Sequence, residues 1–358
     1  FEIDEMLGSD WALKAIQELS SLKNVRIMNR TTIYGSYDHG IFGALERCTD
    51  HLESSEGRPR QILWKIYSKK SILAAGAIER PIAFGNNDRP GIMTASSVRS
   101  YVNRWGVLPG RQTAIFTNND DGWATAKVLA DRGLEVAAVI DSRNCEPVEN
   151  IPGTLVIMGS KIVNTTGRKR IKRIILSNGQ SITCDCLAVS GGWSPNVHLT
   201  CHQGGRPKWD STLNAFTPGE NLPKNMVVSG SANGSFNLQA ALRESLKVAN
   251  IVLTDLDFKK SKIVVPSSSD DSYESSAFWY VKESKKRGWV DFQNDVTVKD
   301  IKQSFSEGFR SVEHMKRYTT MGMATDQGKT SNILGLAIMA ECTCLLYTSP
   351  SPRDATLS

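Results

Sequence analysis

No apolar run in this 358-residue chain approaches the ~20 residues that a membrane-spanning helix needs, which excludes a helical membrane protein. A basic stripe with interleaved aromatics is missing as well. The 43 Lys and Arg are dispersed and offset by 37 acids, so the net charge of +6 marks no nucleic-acid-binding face. Cysteine is scarce and without pattern: seven residues, at 48, 145, 184, 186, 201, 342 and 344, show no metal-finger spacing and no disulfide framework. Cys184 and Cys186 stand two apart at the start of an apolar strand, which predicts both on one face. A reduced, cytoplasmic core is the reading here, with metal binding the alternative. The five His show neither metal spacing nor an associated nucleophile, and the stretch SYDHG at 36–40 reads as a turn. The start FEIDEMLGSD has neither an initiating Met nor a signal-peptide pattern, so a longer protein is expected. At the other end, residues 342–358 match nothing before them and read as the translation of a DNA-library adapter.

What is present is an alternation of strand and helix patterns. Helical spacing over 10–20 places Trp11, Ala12, Ala15, Ile16 and Leu19 on one face, with Ser9 or Asp10 as cap. Strand-like runs at 25–28, 31–37, 41–47 and 61–67 follow, the last three predicting an antiparallel meander. SILAAGAIERP (71–81) is an apolar strand that ends in small residues. Thr94 is placed to cap a helix, and further strands are expected near 155–158, 161–165, 171–176 and 186–192. Residues 225–253 read as a strand, a Gly/Ser turn and a long helix, and 296–341 as helices starting near Thr297, Ser311 and Ser331.

One unit lacks glycine where glycine is wanted. Residues 114–143 have the strand–turn–helix–strand shape of a nucleotide-binding unit, whose turn normally brings backbone amides up to a pyrophosphate. On the Gly-x-Gly-x-x-Gly template the positions are Thr117, Asn119 and Gly122, so only the third glycine, which serves helix–strand packing, is kept. Asp120 and Asp121 suit the positive end of the helix and supply by protein charge what a phosphate would supply. This predicts a retired nucleotide site. Asp141, in the place of a ribose-binding acid, is then a relic or a solvent-facing acid.

Alternating strands and helices predict parallel sheets covered by helices, and one such unit interrupting another is the layout of two-dinucleotide-domain flavoproteins. The expected class is therefore α/β, an FAD/NAD(P)-binding two-dinucleotide-domain fold with parallel sheets, followed by a small helical domain. An incomplete first dinucleotide domain takes 1–110 and 186–258, its first glycine loop missing, and an inserted second one takes 111–185. A Ser/Asp/Lys-rich linker at 259–286 and a helical domain at 287–341 follow. In the first domain, Ala74, Ala75 and Gly76 end a strand where a ligand can lie against backbone, and Gly230, Ser231, Ala232 and Asn233 form an amide-lined turn. Tight strand–helix packing is the alternative for both. Glu79 and Arg80 either fix the loop under a cofactor or pair in solvent.

The motifs ILAAGAIERPIAFGNNDRPGIM (72–93), TNNDDGWATA (117–126), FQNDVT (292–297) and GFRSVEHMKRYTTMGMATDQGKTSN (308–332) resemble those of the alpha subunit of heterotetrameric sarcosine oxidase, over about 1–341. The resemblance implies NAD in the dinucleotide domain, FMN at the interface with a beta subunit, and a tetrahydrofolate-binding domain beyond this chain's C-terminus. It also implies smaller partner subunits and oxidation of sarcosine to glycine, hydrogen peroxide and 5,10-methylenetetrahydrofolate. The alternatives are a subunit of another amine or opine dehydrogenase, or a non-catalytic NAD-binding scaffold. In related amine dehydrogenases four Cys hold an iron–sulfur cluster near the positions of Asp291, Gln293, Asp326 and Thr330. No Cys lies between 202 and 341 here, so no cluster is expected. His314, Lys316, Arg317, Thr319 and Thr320 are expected to face a flavin phosphate or a partner, or to form a solvated basic face. No catalytic residue is assigned.

Overall fold

The computed structural model describes residues 2–55, 57–268 and 273–343. The chain divides into two compact units. One comprises 1–77, 195–208 and 216–272; the other comprises 78–194, 209–215 and 273–358.

The second unit is built on a five-stranded sheet. Its elements are strand β1 (Ile92–Thr94), helix α1 (Ala95–Trp105), β2 (Gln112–Thr117), helix α2 (Asp120–Asp131), β3 (Glu135–Asp141), β4 (Leu155–Ile157) and β5 (Cys186–Ser190). The strand order is β4-β3-β2-β5-β1, and every pairing is parallel. Strands in such a sheet are covered on both faces, and the apolar centres of β2 (Ala114–Phe116) and β5 (Cys186–Val189) suit that setting. Alternation divides them. Ala114, Phe116, Leu187 and Val189 face a small antiparallel sheet (162–166, 173–176, 181–183) through Ile162, Ile174 and Ile182. Ile115, Cys186 and Ala188 face α1 and α2 through Val98, Val102, Trp123 and Leu129. In β3 the rhythm slips at a bulge between Val136 and Ala138, so Val136 and Val139 share the helix side.

Three boundaries differ from expectation. Residues 78–110, expected in the first domain, lie in the second unit, where β1 and α1 belong to its sheet and core. The strand at 186–190, expected in the first domain, is hydrogen-bonded between β2 and β1 and belongs to the second sheet. The helical region is part of this same unit. Helices α3 (Val298–Ser306), α4 (Val312–Thr319) and α5 (Asn332–Thr343) enclose Ile301, Met315, Met321, Leu334 and Ile338 together with Trp279 and Tyr280. Part of the expected linker is thus packed core: Trp279, Tyr280 and Val281 are all buried, because their large apolar side chains outweigh the polar composition around them. Thr297 caps α3 as expected, and Asp300 completes a capping box with it. Cys342 and Thr343 end α5, and the rest of the expected foreign tail lies outside the described residues. Cys184 precedes β5 rather than lying in it, so Cys184 and Cys186 fall in different core clusters, not on one face.

In the first unit, Thr31–Tyr37, Ile41–Arg47 and Gln61–Tyr67 form the expected antiparallel meander. Ser71–Leu73 pairs in parallel with Met226–Val228. Residues 25–28 form no strand. The helix Gly8–Ser21 leaves Leu13, Ile16 and Leu19 about half exposed.

Candidate functional site

The parallel pair in the first unit brings two expected stretches together. Ala74–Gly76 continue one strand and Gly230–Asn233 the other, with Ser231 Oγ 3.8 Å from where a Cβ on Gly76 would stand. Gly76 has φ +73° and Gly230 φ +71°, a left-handed backbone that favours glycine. Ala74 and Ala75 are exposed, so the strand end is an open floor of small residues. The turn is otherwise occupied. Glu244, from the following helix, accepts from the Gly230 amide at 2.7 Å, from Asn233 Nδ2 at 2.5 Å and from Ser235 Oγ at 2.9 Å. The amide expected to hold a phosphate already serves a carboxylate. The floor fits a dinucleotide lying against backbone; the Gly230 amide does not fit as a phosphate donor.

Glu79 and Arg80 belong to the second unit and are not solvent pairs: Glu79 is 4% and Arg80 1% exposed. Thr94 stands at the N-cap of α1 without a side-chain cap bond, and Glu79 supplies it, Oε2 accepting from the Ser96 amide at 2.7 Å. Burial raises the Glu79 carboxyl to about 7, and the Asp121 carboxylate adds to the rise. Arg80 donates through Nε to the Gly191 carbonyl (3.2 Å) and through Nη1 to the Asn214 carbonyl (2.8 Å), its guanidinium 4.9 Å from the Trp279 ring centre. Burial lowers it to about 10, with Tyr273 opposing.

The glycine-poor loop between β2 and α2 is closed by protein groups. Asn119 Oδ1 accepts from the Asp121 amide at 3.0 Å and caps α2. Arg99 from α1 holds Asp121 at 2.6 Å. Arg143 holds Asp120 at 2.7 Å and Asp141 at 2.8 Å. Asp141 is 0% exposed, which rules out a solvent-facing acid; Trp123 Nε1 and the Arg143 amide also donate to it, each at 2.8 Å. Burial works against the charge on Arg143, but the hydrogen bonds and charges of Asp141 and Asp120 outweigh it and hold the guanidinium above its ordinary value. A Cβ on Gly122 would collide with Thr117, so the retained glycine serves helix–strand contact.

On α4, His314 and Arg317 are exposed and Lys316 is half-buried. Thr319 Oγ1 turns back to the Met315 carbonyl at 2.8 Å, and the Thr320 carbonyl accepts from Asn294 Nδ2 at 2.8 Å. Nearby, the positions where relatives would carry cluster thiolates hold polar groups that bond one another. Asp291, 2% exposed, accepts from the amides of Gln293, Asn294 and Gly322 at 2.9, 3.1 and 2.7 Å, and Asp326 accepts from Thr330 Oγ1 at 3.1 Å. These residues do not fit an iron–sulfur cluster, which needs thiolates. Among the described residues no group of three or more His, Cys, Asp or Glu is placed to hold a metal ion, and no helix is long and apolar enough to cross a membrane.

Glu244, Arg99 and Arg143 carry this geometry, and the sequence marks none of them. Each acts on a partner set by the fold, the Arg99–Asp121 pair being 22 residues apart.

Residues 285–345 match the family described as Sarcosine oxidase A3 domain, a match reaching into the stretch read as a foreign tail. Sarcosine oxidase subunit alpha of Rhizobium meliloti is 40% identical over 345 residues, covering 95% of this chain and 35% of that protein. The subunit of the same name from a Corynebacterium species is 34% identical over 365 residues, covering 95% of this chain and 37% of that protein. The crystal structure of L-proline dehydrogenase from P. horikoshii superposes with a TM-score of 0.73 at 19% identity, covering 94% of this chain and 65% of that one; it shares the fold. By sequence this chain is similar to the sarcosine oxidase alpha subunits, and it spans about a third of their length.

Proposed function

We propose that the chain is the dinucleotide-domain part of an alpha subunit that works in the oxidative demethylation of sarcosine to glycine, hydrogen peroxide and 5,10-methylenetetrahydrofolate. The observation that carries this is the 40% identity maintained over 95% of the chain. A flavin held by a beta subunit would supply the two-electron oxidation when bound. This chain's share is binding and docking. The open floor at Ala74, Ala75 and Gly76 lies under NAD, while Ser231, Ala232 and Asn233 shape the opposing turn that Glu244 holds. His314, Lys316 and Arg317 on α4 face the flavin-bearing partner. The assembly is cytoplasmic, includes smaller subunits, and takes tetrahydrofolate through a domain outside this chain. No described residue stands as a proton-transfer group, so the subunit alone is expected to oxidise nothing.

The experiment is oxygen uptake with sarcosine, using the full-length subunit alone and co-expressed with its flavin-bearing partner. Turnover in the co-expressed pair and none in the subunit alone is expected. Sarcosine oxidation by the subunit alone, or failure of the two chains to co-purify, would overturn the proposal.

A further inference from the structure

We propose that residues 273–276 are a built-in occupant of the second dinucleotide cradle, taking the hydrogen bonds that a pyrophosphate takes in an open one and closing that half to dinucleotides. A phosphate at such a loop is held by the first amides of the helix. Here the Asp120 amide donates to the Glu274 carbonyl at 3.1 Å, while the Glu274 amide donates to Asp120 Oδ2 at 2.7 Å. The Ser276 amide donates to the Asn118 carbonyl at 2.9 Å, and Asn118 Nδ2 donates to the Ser276 carbonyl at 2.6 Å. Asn119 and Ser275 form an antiparallel bridge between them. Arg143 Nη1 reaches the Glu274 carbonyl at 3.2 Å. From the other side, Asn214 Nδ2 donates to the Ser275 carbonyl at 3.1 Å.

A peptide carbonyl thus stands where a phosphate oxygen would. The ribose-binding acid is removed too, since Asp141 is buried under Trp123 and Arg143. Charge alone therefore does not close the loop: Asp120 and Asp121 are paired with Arg143 and Arg99, and the backbone of the strap fills the space. The closure is permanent rather than a gate. The strap runs on into Trp279 and Val281, whose carbonyl and amide bond Ala83 at 3.0 and 2.8 Å, and Arg80 stacks on Trp279. Lifting it would unpack buried Trp279 and Tyr280.

Hydrogen exchange on the intact subunit–partner assembly tests this, with and without saturating NAD. In the free assembly, amides of 117–121 and 273–278 are expected to exchange at least a hundredfold more slowly than an unstructured chain, and NAD should leave both unchanged. Asp120→Ala should accelerate both peptides at least tenfold together, leaving 135–141 unaffected. If that variant does not fold, Ser276→Pro, which removes one strap amide, takes its place. Fast exchange in the free assembly that NAD slows, or acceleration of 117–121 without 273–278, would overturn the inference. Protection by NAD around Gly76 and Gly230 reports on the other half alone, so the two readings fail separately.

Discussion

Arg143 grips Asp141 with its amide and with its side chain, Nη2 lying 2.8 Å from Oδ2, and the same guanidinium reaches 2.7 Å to Asp120. One side chain thereby joins the end of β3 to the start of α2 and neutralises two carboxylates. Removing it leaves Asp141, 0% exposed, as an uncompensated buried charge. Arg143→Ala should lower stability by about 3–5 kcal/mol. Denaturant unfolding of the full subunit measures this; a loss below about 1 kcal/mol, the size of a surface pair, would show that the clamp does not hold the cradle.

Glu79 makes stability depend on pH. Its carboxyl titrates at about 7 in the folded chain against 4.5 ordinarily, chiefly through burial and then through Asp121. The folded state therefore binds more protons between those values, and the contribution, complete at low pH, is lost as pH rises from about 4.5 through about 7. The full change is about 3 kcal/mol. Glu79→Gln should flatten this dependence and leave the variant more stable than the parent at pH 8. Melting curves from pH 5 to 8 decide it; parallel profiles for the two proteins would count against a buried titrating Glu79.

Asp291 gathers three backbone amides and sits where relatives of another kind would place a thiolate. Asp291→Ala leaves those donors without an acceptor and should cost about 3 kcal/mol, with Asp291→Asn intermediate. Proteolysis of the helical region follows the loss directly. Metal analysis of the parent chain should find no stoichiometric iron or acid-labile sulfide, since 202–341 offers no thiolate; an iron-dependent absorption band would refute that.

Thiol reagents should separate the cysteines. Cys145 is exposed, whereas burial pushes the Cys184 and Cys186 thiols up to about 12 and about 11. Cys145 is expected to react within minutes, and Cys184 and Cys186 only on unfolding. Modification of Cys186 in the native protein would mean that the centre of the sheet opens.

Lys316 and Arg317 carry no ion pair among the described residues. Reversing both charges should weaken assembly with the flavin-bearing partner by roughly 1–3 kcal/mol. Unchanged assembly and unchanged sarcosine turnover would make α4 a solvated face and misplace the partner.

The strands and helices were legible in the residues because their signals are local. Strand-like runs at 31–37, 41–47 and 61–67 point to a meander, and the apolar runs at 114–116 and 186–189 to strands covered on both faces. The missing glycines at Thr117 and Asn119 likewise marked a loop unfit for pyrophosphate before any fold was known. What fills that loop was not legible. Asp120 and the Glu274 amide are 154 residues apart, and Arg80 finds Asn214 across 134. A hydrogen bond depends on where two groups are delivered in space, and nothing in a polar stretch such as 273–276 distinguishes a solvated linker from a strap until the buried Trp279, Tyr280 and Val281 anchor it. The same reason turned Glu244 into the keeper of the Gly230 turn: the sequence set the amides and the carboxylate, and only the tertiary structure decided that they would satisfy each other.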